Sequence, residues 1–468
     1  MNIQKVCVNQ NMSIKSAMKT IDENGLGIVF IINNNKKFVG VATDGDIRRA
    51  VLKGINLKEP INKIMTGEPV IVNNHWNEKL INKLLNMESV KRKIPSHGKI
   101  KIPIINDDEK VVDLIFASPY HIESLQRSTK NYKNKTLAVN KILIVGGAGY
   151  LGSVLSRQFI EKNYNVRVLD NLTYGNHGIR ELFDNPRFEF IEGDMRNIQT
   201  LVEAVKDIDA VIHLAAIVGD PASAINPKET IEINYLATKT LAEVCKYSQI
   251  NRFIFASTCS VYGASPSPNT KIDENSELNP VSLYAEMKLK SEEALLEISD
   301  DNFKPTILRM ATLYGLSPRM RFDLVVNLLS IKAIKEKKFT IFGGEQWRPL
   351  LNVKDAANAY IMCLQQPLNK SARQIFNVGS NEENYQIIDV GKIIKKAIPA
   401  VDMQIDKQNI DKRDYNVSFD KINQKLDFNT SFSIDDGFRE IKKAVEEENM
   451  FDDYLNQIYN NYSYIKGK

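Results

Sequence analysis

Along the chain the spacing of apolar positions changes character more than once. From Ser13 it reads as a helical stretch (SIKSAMKTIDENG), an apolar strand (LGIVFIINN), a polar turn at 33–37, a second strand (KFVGVAT) and a helix (DGDIRRAVLKG). A weaker copy follows, with EPVIVNNHWNEKLINKLL as strand then helix and KIPIINDDEKVVDLIFASP as two strands around a polar turn. Residues 1–119 are therefore an internal repeat of α+β character. The next stretch is polar and has no sustained apolar period, which predicts a linker at 123–139 between a module at 1–122 and a domain at 140–468. In that domain the short apolar strands KILIV, NVRVLD, FEFIEGD, AVIHLAA and RFIFAST alternate with helical stretches. Such alternation predicts a parallel sheet covered on both faces, a doubly wound α/β fold.

Candidate chemistry begins where KILIV runs into GGAGYLG. Gly146, Gly149 and Gly152 stand between an apolar strand and a helix, where glycine permits a tight turn and free amides at the helix start hold a pyrophosphate. Tyr150 and Leu151 belong to the same turn. Asp170, followed by Asn171, ends the next strand, where a carboxylate accepts hydrogen bonds from the adenosine ribose and repels a 2′-phosphate. NAD is thus expected in preference to NADP. Asp194 and Met195 in GDMRN follow the third strand near the adenine position, and Leu214, Ala215 and Ala216 end the fourth with small residues beside the cofactor. His213 is read as packed at a strand end and is given no chemistry.

The stretch SLYAEMKLKSEEALL is helical in pattern, so Tyr284 and Lys288 share one face. An ammonium and the positive nicotinamide near the phenol favour the phenolate, which makes Tyr284 a general base. Thr258, at the end of RFIFAST, offers a hydroxyl to share the reacting proton.

Composition narrows the classes of partner. The 468 residues exceed what one core holds, and 62 basic against 57 acidic residues leave a net charge of +5, too dilute to predict a nucleic-acid or membrane surface. The N-terminus lacks a secretory pattern and no apolar run spans a bilayer, so a cytoplasmic protein is expected. Cys7, Cys245, Cys259 and Cys363 have no paired spacing, and no metal site is expected.

Taken together, GGAGYLG, Asp170-Asn-Leu, GDMRN, HLAA, STCSVYG and YAEMK resemble the extended short-chain dehydrogenase/reductases of the nucleotide-sugar epimerase/dehydratase family. The resemblance covers residues 141 to about 445. It implies a Rossmann-type domain with a smaller C-terminal substrate-binding part, and a nucleoside-diphosphate sugar as substrate. It also implies that Tyr284 takes a sugar hydroxyl proton, that Thr258 assists and binds substrate, and that Lys288 holds the nicotinamide ribose. By the same likeness Asn234 orders the active site beside the cofactor, Asn327 in LVVNLL lies near the diphosphate, and Arg348 and Arg413 bind phosphate, with Trp347 beside them. Relatives that dehydrate carry an Asp-Glu pair after the Thr, but here those positions are Cys259 and Ser260. Epimerisation at carbon 4 needs no further acid or base, and it is the expected reaction. A keto-sugar reductase, a 4,6-dehydratase and a catalytically silent dinucleotide-sensing scaffold stand as alternatives. Thr312 occupies a position where many relatives have Asn, which alters substrate orientation.

Residues 1–119 resemble a pair of CBS motifs, a module that binds adenosine nucleotides. The likeness implies that Thr43 and Asp46 hold a regulatory adenine nucleotide, or that the pair serves packing, and a homodimer or higher homo-oligomer is expected. Lys91, Arg92, Lys93, Lys99 and Lys101 read as a solvated basic loop.

Overall fold

The apolar segments of the second half are rich in Val, Ile and Phe and carry almost no polar face, so they are stable only when covered on both sides. The computed structural model describes residues 3–24, 26–76, 78–85, 87, 90, 100–118, 121–124, 139–264, 271–300, 303–408 and 413–467. They fall into two units, Met1–Ala138 and Val139–Lys468.

In the second unit seven strands form one sheet: β1 (Lys141–Val145), β2 (Asn165–Asp170), β3 (Phe188–Glu192), β4 (Ala210–His213), β5 (Arg252–Thr258), β6 (Lys304–Met310) and β7 (Ile375–Val378). Their order is β3-β2-β1-β4-β5-β6-β7, and every pairing is parallel. The chain therefore winds outward from β1 in one direction and from β4 in the other. That reversal opens a crevice at the C-terminal ends of the central strands, where open α/β sheets bind ligands. One face of the sheet packs Leu143, Val145, Val211, Phe253 and Phe255 against the helix Ala237–Tyr247. The other packs Ile142, Ile144, Ile212 and Ile254 in the larger core that reaches the C-terminal part. That part adds three small sheets, among them Thr312–Tyr314 with Trp347–Asn352 and Asn384–Gln386. The expected fold class is observed.

The first unit contains two sheets, one of three strands (Cys7–Asn9, Ile28–Ile32, Phe38–Thr43) and one of four (Val72–Asn73, Ile100–Ile105, Val111–Ser118, His121–Ser124). The last strand corrects the expected linker, which begins inside it: His121–Ser124 pairs antiparallel with Val111–Ser118 as a polar edge strand, held by backbone hydrogen bonds that need no apolar period. Residues 125–138 of the linker lie outside the described residues, as do Lys91–Lys93 and Lys99. Lys101 is not a solvated residue: its Nζ donates to the carbonyl of Leu26, and burial lowers its pKa to about 8.

Candidate active site

The turn after β1 has a geometry that only glycine satisfies at two points. Gly146 lies at φ +86°, and a Cβ there would come 2.5 Å from the nitrogen of Ala215, so β1 and β4 approach too closely for any side chain. A Cβ on Gly152 would meet the Gly146 carbonyl at 2.6 Å. Gly149, which begins the helix Tyr150–Glu161, differs: a Cβ there would find only the Gly146 carbonyl at 3.6 Å, so this residue faces open space. The helix start is therefore free for a diphosphate, and the donor set fits a dinucleotide.

Around this turn the strand ends converge on one cleft of ≈ 840 Å³. Its walls include Gly146, Gly149, Tyr150, Leu151, Gly152, Asp170, Asn171, Asp194, Met195, Leu214, Ala215 and Ala216 from the cofactor side. Thr258, Ser260, Tyr284, Lys288, Thr312, Arg348 and Arg413 line its other end. Asp170 is half-buried and already accepts the backbone N–H of Ala148 and of Leu172, each at 2.9 Å, so it shapes the turn as well as facing the cleft. Asp194 is held by the Arg196 guanidinium at 2.7 Å, which lowers its pKa.

Tyr284 and Lys288 lie on the helix Leu283–Glu297, begun by Ser282, whose hydroxyl accepts the N–H of Ala285. Thr258 stands beside the Tyr284 phenol, where its hydroxyl favours the ionised form. Lys288 Nζ donates to the Ala256 carbonyl at 2.7 Å and lies 6.0 Å from the centre of the Tyr284 ring. Burial lowers the Lys288 pKa to about 7, opposed by the carboxylate of Glu292 one turn on. The electrostatics differ from expectation: burial and the nearby Asp220 push the Tyr284 phenol up, and Lys288 does not offset them.

Two residues expected beside the ligands, Asn327 and Asn234, lie off the cleft wall. Asn327 is fully buried and does not line the cleft: its Oδ1 accepts the N–H of Gly315 at 2.8 Å, and its Nδ2 donates to the Tyr150 hydroxyl and the Arg321 carbonyl. It ties the helix Val325–Lys335 to the glycine-turn helix and has no freedom to reach a diphosphate. Asn234 is also buried, in a π-helical turn at Glu232–Leu236, and its amide grips the backbone N–H and carbonyl of Ile217 at 2.8 and 2.9 Å. It thereby holds Ile217 in the cleft wall, as a residue that orders the site would. Trp347 stays outside the wall, whereas Arg348 donates to the carbonyls of Trp347 and Arg413 and stacks 5.2 Å over Tyr415.

Cys259 points away from the cleft, its Sγ donating to the Arg309 carbonyl at 3.3 Å, while Ser260 faces the cleft with its hydroxyl 3.2 Å from that of Tyr415. His213 is buried against Phe253 and Phe255, with Nε2 2.8 Å from the Thr238 hydroxyl, and burial lowers its pKa strongly. Sequence reasoning missed Asp220, which lines the cleft, accepts the Ser282 hydroxyl at 2.7 Å and pairs with Arg413 at 3.2 Å. It also missed Arg319, Arg321 and Asp323, all in the cleft wall.

In the N-terminal unit Thr43 and Asp46 form a capping box at the start of the helix Asp44–Leu52. The Asp46 carboxylate accepts the Thr43 N–H and hydroxyl at 2.8 and 2.7 Å and pairs with Arg49 at 2.6 Å. Both side chains are thus engaged in local structure.

The cleft thus joins a glycine turn of the dinucleotide-binding kind to a Thr, a Tyr and a Lys at its other end. The family model for the NAD dependent epimerase/dehydratase family matches residues 142–379, more than half of the chain. The protein belongs to that family, whose cofactor is NAD. A CBS domain model matches residues 1–53, the first copy of the N-terminal repeat. A Methanocaldococcus jannaschii protein with a provisional UDP-glucose 4-epimerase name is 34% identical over 264 residues, covering 55% of this chain and 82% of the relative. The UDP-glucose 4-epimerase of Lactobacillus helveticus is 28% identical, covering 54% and 81%. Among solved structures, the UDP-glucose 4-epimerase of Thermotoga maritima with UDP-glucose shares the fold at a TM-score of 0.58 and 24% identity, covering 66% of this chain and 99% of its own. The dTDP-glucose 4,6-dehydratase of Bacillus anthracis with NAD does so at 0.59 and 21%, covering 66% and 98%. Among the described residues, no helix is long and apolar enough to cross a membrane.

Proposed function

We propose that the protein interconverts nucleoside-diphosphate hexoses by epimerisation at carbon 4, with a uridine diphosphate hexose as substrate. The observation that carries this reading is the pair at 259–260, where a buried thiol and a hydroxyl replace the acid and base that elimination of water requires. Tyr284, with Thr258 beside it, takes the proton of the sugar C4 hydroxyl and returns it to the same oxygen once the keto sugar presents the other face of C4. NAD, when bound, accepts the C4 hydride and gives it back. Gly149 and the helix start would hold its diphosphate, Asp170 its adenosine ribose and Lys288 its nicotinamide ribose. Between the two transfers the keto sugar turns over, held by its nucleotide, for which Arg348 and Arg413 supply cationic partners at the far end of the cleft. The curated relatives named UDP-glucose 4-epimerase support the substrate class.

The N-terminal unit acts in this reading as a regulatory module for an adenine nucleotide, supported by the CBS match at residues 1–53. The catalytic reading is tested by incubating the purified protein with a panel of nucleotide sugars and resolving the products by NMR. Epimers at C4 are expected, and Tyr284→Phe is expected to lower turnover by roughly 100- to 10,000-fold while NAD stays bound. A deoxy-keto sugar or a reduced sugar as product would replace the reading with dehydration or reduction.

A further inference from the structure

Arg319 is a buried cation with no counter-charge among the described residues. Its side chain is 1% exposed, it lines the cleft, and its Nε and Nη2 are buried without a hydrogen-bond partner. Among the described residues, no carboxylate lies within ion-pair distance of it: the nearby Asp323 is taken by Arg321 through two bonds of 2.9 Å. Burying a guanidinium without a counter-charge is costly, and a bound anion would offset that cost. Burial and the neighbouring Arg321 lower its pKa to about 10, so it remains cationic at neutral pH.

Where Arg319 is rooted identifies the ligand. A Cβ built on Gly178 would come 2.8 Å from both the Ala148 carbonyl and the Arg319 Cβ, so the arginine stands one residue's width from the glycine turn. The segment before it is stitched to the first turn of the glycine-turn helix. The Tyr150 hydroxyl donates to the Gly315 carbonyl at 2.6 Å, and the Ser317 hydroxyl donates to the Tyr150 carbonyl at 2.7 Å and lies 3.1 Å from that of Ser153. The guanidinium rests 4.5 Å over the ring of Tyr174, whose own buried hydroxyl also lacks a partner and whose side chain lines the same wall.

We infer that Arg319 and Tyr174 form the outer half of the diphosphate subsite for the dinucleotide, closing over the backbone amides of the glycine turn from the C-terminal part of the chain. The fingerprint GGAGYLG supplies the inner half. Arg348 and Arg413 stand at the sugar-nucleotide end beside Asp220 and Tyr415, so they are separate from this subsite. The inference rests on the family cofactor and not on which sugar is turned over.

The test uses the full-length protein stripped of nucleotide, with Arg319→Gln and Arg319→Lys, titrated calorimetrically with NAD, ADP-ribose, adenosine and UDP. Arg319→Gln is expected to weaken NAD and ADP-ribose by roughly 10- to 100-fold, because a hydrogen-bonded ionic contact to the diphosphate is lost. Adenosine and UDP, which do not use this subsite, are expected to bind within about twofold of wild type, and Arg319→Lys to fall between the two. The nucleotide-free Gln variant is expected to melt at or above the wild-type temperature, since it removes an uncompensated buried charge. Three results would overturn the inference: unchanged NAD affinity, equal loss of adenosine and NAD, or a loss confined to UDP. A nucleotide-free Gln variant that melts well below wild type would assign Arg319 to packing on Tyr174 instead.

Discussion

Asp220 and Tyr284 line the same cleft, and the negative charge of Asp220 raises the phenol whose ionisation the proton transfer needs. The carboxylate is fixed by the Ser282 hydroxyl and Arg413. Asp220→Asn removes a charge that opposes the phenolate, so the acid limb of the pH–rate profile moves to lower pH, on the order of one unit. Arg413→Gln leaves Asp220 uncompensated and moves the limb the other way. Initial rates measured across pH for the two variants check both signs.

The sheet and the glycine turn were legible because period and composition are strong over β1 to β5, and a strand that is buried on both faces can hold little else. Asp220, Arg319 and Arg321 were not: Asp220 opens a four-residue helix, Asp220–Ser223, too short to show a period, Arg319 and Arg321 lie in a loop, and all three meet the site only through tertiary folding. Asn327 was misread although the signal existed: an Asn amid LVVNLL on a helix is a core position that must satisfy its amide internally. Thr43 and Asp46 carried a second meaning in the same way, because a Thr followed at the third position by an acidic residue before an apolar run is also the signature of a helix start.

Beneath the catalytic helix, Glu292 and Arg309 form an ion pair at 2.7 Å, each side chain 2% exposed, with the Ser257 hydroxyl donating to the same carboxylate. Removing one partner strands the other charge. Glu292→Gln is expected to cost about 3 to 5 kcal/mol, and the double replacement Glu292→Leu with Arg309→Met to recover most of that. Denaturant unfolding of the three proteins measures it; a double variant as unstable as the single would refute the argument.

Lys288 has a pKa of about 7 in the fold, below its ordinary 10.5, so the native state binds fewer protons than the unfolded chain between those values. Stability therefore rises with pH through that window, and the cost of burying the ammonium is greatest below pH 7. Lys288→Met abolishes turnover yet is expected to raise the melting temperature by a few °C, on the order expected for about 1 kcal/mol or more, at pH 6. The gain should shrink toward pH 10. Thermal scans at both pH values read the difference directly.

In the N-terminal unit, Asp46→Ala breaks the capping box and is expected to cost about 1 kcal/mol whatever the module binds. Under the regulatory reading it also removes AMP binding. Calorimetry of the full-length protein with AMP and ATP separates the roles: no heat at millimolar nucleotide, or heat unchanged in the variant, leaves Thr43 and Asp46 with structural duty alone.

The central claim is that the hydride removed from the sugar returns to the same carbon. UDP-glucose carrying deuterium at C4 is incubated with the enzyme as purified, and the product is analysed by NMR and mass spectrometry while absorbance reports reduced nicotinamide. The account predicts a C4 epimer that retains the deuterium at C4, with no reduced cofactor accumulating. Deuterium found at another carbon, lost to solvent, or trapped in stoichiometric reduced cofactor would contradict it.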